Sequence, residues 1–262
     1  MVANAVAPLA LALLAGCAST LPDGTPDPDP WEGFNRKIFV FNDKVDTWIL
    51  VPLAKGWDFV VPGAAQTSVG HVFKNLQWPI SFVSNVLQAK FKAAGTETAR
   101  FVINSTVGLL GLFDPAAAWG IEPRREDLGE AFGAWGIPPG PYLVLPILGP
   151  SSPRDAVGDT ADIPLSIYYF DEYAFAVKTV ETVNWRALNL EQIEKARERS
   201  FDWYVFVRNA YVQNREAKVR DEDVSDPYAA PEIDDDLYNT DDDLYDLDFD
   251  EETDPDEESE RP

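Results

Sequence analysis

The last 42 residues hold most of this chain's net charge, and that imbalance limits how much of it can fold. The 262-residue sequence carries −24. Between Asp221 and Pro262 there are 21 acidic residues and one basic residue, Arg261, so the tail accounts for −20 and residues 1–220 for −4. A stretch containing Asp234-Asp235-Asp236, Asp241-Asp242-Asp243 and Glu257-Glu258 cannot bury enough apolar area to offset the entropy of ordering it. Residues 221–262 therefore read as a disordered acidic tail. Asp246, Asp248, Asp250 and Glu257 match positions of a calcium-binding loop, but Glu251 stands where the loop's turn needs glycine and Pro255 intervenes, so a solvated polyanion is the better reading. Tyr238, Tyr245 and Phe249 leave room in the tail for a short docking motif.

The opposite end is apolar. Ala5 to Ala15 forms a hydrophobic run closed by Leu14-Ala15-Gly16-Cys17, which reads as a bacterial lipobox: residues 1–16 as signal peptide, Cys17 as the lipidated first residue. Residues 2–16 contain no Lys or Arg, a departure from the usual charged start. More than one acyl chain on Cys17 would give stable attachment, at roughly 0.8 kcal/mol per buried methylene. Cys17 is the sole cysteine, so a monomer has no internal disulfide and its stability comes from packing. Residues 17–30 continue as a proline-rich spacer, extended in character. The folded domain is expected over 31–220. Its near-neutral charge beside an acidic tail argues against nucleic acid and against attraction to anionic head groups.

Within 31–220 the patterning is helical. Phe34, Ile38, Phe41, Val45 and Trp48 form one apolar stripe, Phe39, Val40 and Ile49 broaden it, and Pro52 is compatible with its end. Residues 66–76 and 80–91 predict two shorter amphipathic helices, and a longer helix follows from about Ala93 or Thr96. Residues 101–121 are uncharged except for Asp114, long enough to span a bilayer core, yet Asn104, Gly108, Gly111 and Pro115 interrupt them. Either a helix, break and helix at an interface or a buried core hairpin fits this pattern. Residues 129–164 lose helical periodicity and are rich in Gly and Pro, but Trp135, Tyr142, Val144 and Ile147 mark an ordered loop region. Residues 173–190 and 191–219 read as two further helices.

Chemical motifs are few. His71 is the lone histidine, and no Gly-x-Ser-x-Gly elbow, metal-ligand cluster or phosphate-cradling glycine loop is present. His71 reads as a solvent-facing or packing residue. Asp155, Asp159 and Asp162 beside Arg154 read as turn caps and a local ion pair. No catalytic residue, metal or cofactor is expected.

Asp29-Pro30-Trp31-Glu32-Gly33-Phe34-Asn35-Arg36, the Phe39-Val40-Phe41-Asn42 run, Arg100 to Gly108 with Gly111-Leu112-Phe113-Asp114, Glu130-Ala131-Phe132-Gly133, Gly140 to Pro146 and Arg154-Asp155 together resemble the MlaA (VacJ) lipoprotein family, over roughly Asp29 to Ala217. The resemblance implies a mainly α fold: a ring-shaped arrangement of amphipathic helices around a central pore, with a Gly/Pro-rich hairpin loop. It also implies an outer-membrane lipoprotein, facing the periplasm, that removes misplaced phospholipids from the outer leaflet and maintains lipid asymmetry. The implied partners are a trimeric porin and the periplasmic carrier MlaC. Carried over by matching position, Phe39, Phe41 and Asn42 fall in a helix tied to gating, and Gly136 and Gly140 in the hairpin loop flanking the pore. Pro138-Pro139 between those glycines would stiffen that loop. A structural envelope lipoprotein without transport activity is the alternative.

Overall fold

The computed structural model describes residues 27, 29–166 and 173–222. Internal contacts divide the chain into Met1–Tyr228 and Ala229–Pro262, and the described residues belong to the first unit. The expectations for the signal segment, Cys17, most of the spacer and the tail beyond Glu222, including its calcium-like pattern, lie outside the described residues.

The described part is mainly helical. Helix α1 spans Glu32–Val45, runs without a stop through a π-turn at Asp46–Leu50, and continues as α2, Val51–Val60. Pro52 therefore does not end the first helix. A proline lacks the amide proton and crowds the carbonyl four residues back, and the wider π-turn just upstream relieves both problems. There follow α3 (Gly63–Leu76), α4 (Trp78–Leu87), α5 (Phe91–Thr106), a short α6 (Pro115–Ala118) and α7 (Leu128–Ala134). Strands β1 (Leu143–Leu145) and β2 (Gly149–Ser151) pair antiparallel, with Val144 opposite Pro150. Helices α8 (Pro153–Asp162), α9 (Ala174–Leu188), α10 (Leu190–Arg199) and α11 (Trp203–Val219) complete the described residues. Helix α9 packs on α2 and α3, α4 on α5, and α7 on α8, α4 and α11, while the hairpin lies between α1 and α11.

Three further expectations need correction. Residues 129–164 are not one loop region: α7 and α8 lie within them. Helix α7 opens on a capping box between Asp127 and Glu130, and α8 on Ser152, whose hydroxyl accepts from Asp155 N. Helix α7 has only seven residues, and the glycines of both serve close packing that reads as loop composition: a Cβ on Gly158 would lie 2.4 Å from Gly129 N. The segment read as one helix over 191–219 breaks at 200–202, because Asp202 caps the amides of Tyr204 and Val205 and starts α11 afresh. The 80–91 helix ends at Leu87, with Ala89 at φ 59°, before α5 begins.

For residues 101–121 the structure gives a helix, a break and a short helix. After Thr106 the chain turns through Leu109, Leu110 and Gly111 at φ 52°, 60° and 91°. No helix among the described residues is long and apolar enough to cross a membrane. Leu110, Leu112, Phe113 and Trp119 nevertheless stay exposed.

This exposure is part of a general inversion. Among the described residues, the largest fully buried side chains include Arg186, Gln66, Glu130, Asn35, Asn85 and Asn184, whereas Phe59 is 91% exposed, Phe175 86% and Trp48 72%. Buried polar groups cost several kcal/mol unless bonded. Most of them here are bonded, and those bonds join the helices. Arg186 of α9 forks onto both carboxylate oxygens of Asp46, at 2.9 and 3.1 Å. Asn184 accepts from Trp57 Nε1 at 3.0 Å and donates to the carbonyl of Gln66 at 3.0 Å, joining α2, α3 and α9.

Candidate functional site

Helix α1 presents two asparagines, Asn35 and Asn42, two turns apart on one face. Both grip the hairpin by its backbone. Asn35, fully buried, donates to the carbonyl of Tyr142 at 3.0 Å and accepts from Val144 N at 3.0 Å. Asn42 donates to the carbonyl of Leu145 at 2.9 Å and accepts from Ile147 N at 2.7 Å. Ile147 holds φ 67°, an uncommon left-handed state for a β-branched residue, and stands 76% exposed at the hairpin tip beside Leu148. Beneath this grip, Phe39 packs edge-on against Tyr204, centroids 5.3 Å apart, within a cluster that includes Tyr142 and Val144. Asn35 also donates to Asp29 at 2.7 Å, and Tyr204 donates to the same carboxylate.

Of the sequence-predicted residues, Asn42 thus meets the hairpin directly and Phe39 packs on the cluster beneath it, while Phe41 is 47% exposed. Gly136 and Gly140 precede the hairpin and do not form its turn, which lies at Pro146–Leu148. Gly136, at φ 83°, ends α7, and Gly140, at φ 76°, packs against Pro153. Between them the Pro139 carbonyl accepts from Arg154 N at 3.3 Å.

Two cavities open beside these elements. One, of about 640 Å³, lies against α3 and α9 and is lined by residues including His71, Lys74, Arg125, Lys178 and Trp185. The other, of about 720 Å³, is lined by the hairpin residues Leu145 and Leu148 and by Glu126, Asp127, Glu130, Asp159 and Asp162. They share Gln77, Arg125 and Lys178 in their walls. The first has three cationic side chains against Glu181, and the second has five carboxylates against Arg125, Lys178 and Lys218.

Arg215 of α11 holds the acidic wall together. It donates to Asp127 at 2.6 and 3.0 Å, to Asp155 at 2.9 and 3.1 Å and to Glu130 at 3.2 Å. Its charge keeps Asp155 and Asp127 below the usual carboxylate range, against the opposing effect of burial. Glu130 takes the smaller share of Arg215, so burial and the neighbouring Asp127 push it up. Asp162, which accepts from Leu128 N, rises to about 7 through burial and then Asp127. The expected Arg154–Asp155 ion pair is present at 3.0 Å, but as one edge of this larger network.

His71 is partly buried on α3. It lines the first cavity, with its Nδ1 buried and unpartnered. Sequence reasoning also missed Lys74, Arg125 and Arg215. Nothing in the local sequence sets them apart: Lys74 lies on an amphipathic helix, Arg125 in a charged non-helical stretch and Arg215 beside Asn214 and Glu216.

Together these features define a helical domain of inverted polarity: charged cavities within, apolar aromatic side chains without. The model of the MlaA lipoprotein family matches residues 27–218, and the chain belongs to that family. The protein named intermembrane phospholipid transport system lipoprotein MlaA in Haemophilus influenzae is 34% identical over 201 residues, covering 74% of this chain and 80% of that one. Its Escherichia coli namesake is 33% identical over 214 residues, covering 79% and 85%. An uncharacterised Rickettsia conorii protein is 35% identical over 196 residues. A solved structure described as the structural basis for maintenance of bacterial outer membrane lipid asymmetry matches with a TM-score of 0.66 at 32% identity, covering 73% of this chain and 98% of that one.

Proposed function

We propose that this protein is an outer-membrane lipoprotein, anchored through Cys17 and facing the periplasm, that withdraws misplaced phospholipids from the outer leaflet. The adjoining cavities form one passage for the head group, within a ring of helices whose apolar rim sits among acyl chains. The observation that carries this reading is the inversion of polarity. Arg186, Gln66 and Glu130 are buried while Phe59, Phe175 and Trp48 are exposed, an arrangement disfavoured in water but suited to hydrocarbon outside and head groups inside. The relatives' name, a phospholipid transport lipoprotein, supports the same role.

In this reading the hairpin gates the passage. Its Leu145 and Leu148 line the second cavity, and Asn42 sets where the tip rests. The lipid enters beside a trimeric porin and leaves to the periplasmic carrier MlaC, so direction comes from the partners and no bond is made or broken here. The test is outer-leaflet phospholipid content in a strain lacking this protein. A rise, reversed by the intact gene, supports transport. An unchanged leaflet refutes it and leaves an envelope scaffold.

A further inference from the structure

From the wall of the 640 Å³ cavity we infer that Lys74 and Arg125, with His71 beside them, form a binding site for a phosphate group, that of a lipid head in transit. The inference rests on the transport reading and locates its ligand site. It starts from side chains that have no partner of their own. Neither Lys74 nor Arg125 makes a hydrogen bond or an ion pair among the described residues, although both are set among protein groups. The other nearby charges are already occupied. Lys178 binds Glu181 at 3.0 Å. Asp114 takes Arg100 at 2.7 Å and Asn104 at 2.9 Å, and Glu97 accepts from Arg124 N.

The site is also held in place. His71 and Lys74 stand three residues apart on α3, hence on one face. Arg125 sits on a segment fixed on both sides: the Arg124 carbonyl accepts from Asn85 at 2.9 Å, Arg124 N donates to Glu97, and Glu126 N donates to Ser81 at 3.4 Å. Two unpaired cations side by side in a partly dehydrated wall repel each other. Desolvation and then Arg125 lower Lys74 from its ordinary range, and the pull of Asp114, already shared with Arg100, does not offset them. Such an arrangement is costly without an anion, and a guanidinium with an ammonium suits the non-bridging oxygens of a phosphate. His71, whose Nδ1 is buried without a partner, lines the same cavity.

The test uses the full chain in a phosphate-free detergent, titrated calorimetrically with dihexanoylphosphatidylglycerol, with dihexanoylglycerol and with inorganic phosphate. Lys74→Met and Arg125→Met are each expected to weaken the phosphatidylglycerol at least tenfold, with dihexanoylglycerol unaffected and the melting temperature held or raised. Lys74→Arg should restore binding. Inorganic phosphate binding at least tenfold more weakly than the lipid assigns the site to a head group. Equal or tighter phosphate binding assigns it to the free anion and overturns the lipid part. Unchanged phosphatidylglycerol affinity in the double variant overturns the site, as does a fall in melting temperature in step with the affinity, which marks a structural role. If that double variant binds normally while the wild type still clears the outer leaflet, the site fails and the transport reading stands. If the wild type clears nothing, the transport reading itself fails.

Discussion

Asn42 does two jobs with one amide: it supplies both hydrogen bonds that the strand edge at Leu145 and Ile147 lacks, and it holds a β-branched residue in a left-handed turn. Replacing it with alanine removes two bonds of about 1 kcal/mol each, less where water can substitute. Asn42→Ala is therefore expected to cost about 1–2 kcal/mol and to speed hydrogen exchange at the Ile147 amide, with Val144, held by Asn35, protected as before. Equal protection at Ile147 would show that the tip stands without its clasp. A second residue-scale consequence concerns pH. Asp162 rises to about 7 from 3.8, so in that interval the native protein holds a proton that the unfolded chain releases. Its contribution is full below about pH 4 and is lost as pH rises through 7. Thermal melts should then show Asp162→Asn gaining on the wild type from pH 4 to 8, and a constant difference would dismiss the shift. In the sequence Asn42 was legible through its motif, but its role as a backbone clasp was not, because that depends on a partner about a hundred residues away. Arg125 and Lys74 left no trace in the sequence, since a missing partner is visible only once every neighbour is placed.

Among the elements, the helices with a long apolar stripe were readable. The apolar face of α1 and the amphipathic α3, α4 and α9 appear close to where their periodicity puts them. Elements set by caps and close approach were not. Helices α7 and α8 are short, and their glycines read as loop residues because the same residue type serves turns and tight helix contacts. The contact between them is as close as two backbones come: a Cβ at Gly158 would sit 2.4 Å from Gly129 N and 2.6 Å from Gly129 Cα. Overpacking of this kind costs about 1–3 kcal/mol. Gly158→Ala should thus lower stability by that amount in chemical denaturation. It should also loosen the Arg215 network, whose Asp155 rides on α8 and whose Asp127 precedes α7. A variant as stable as the wild type would mean that the two helices part without cost, and the glycines would then be incidental.

At the scale of the whole molecule, burial by hydrophobicity fails as a guide, and the failure is informative. Large apolar side chains normally stabilise a fold by leaving water, at about 25 cal/mol per Å². Here many contribute nothing of the kind, and polar networks such as Arg186–Asp46 and Asn184–Gln66 join the helices instead. Phe59 and Val60, at the end of α2, are 91% and 74% exposed. Exchanging both for glutamine removes no internal contact of note, so stability should stay within about 0.5 kcal/mol. If hydrocarbon covers them, the same exchange removes apolar area worth about 1.5–3 kcal/mol per side chain on full burial. The prediction separates the two environments. In a chain carrying Cys17→Ser, so that no acyl anchor masks the effect, Phe59→Gln with Val60→Gln should leave the melting temperature unchanged and lower flotation with phospholipid vesicles at least tenfold. Flotation equal to that of the Cys17→Ser chain would place these side chains outside the bilayer, and the polar interior would then need a different explanation from the one given by acyl chains outside.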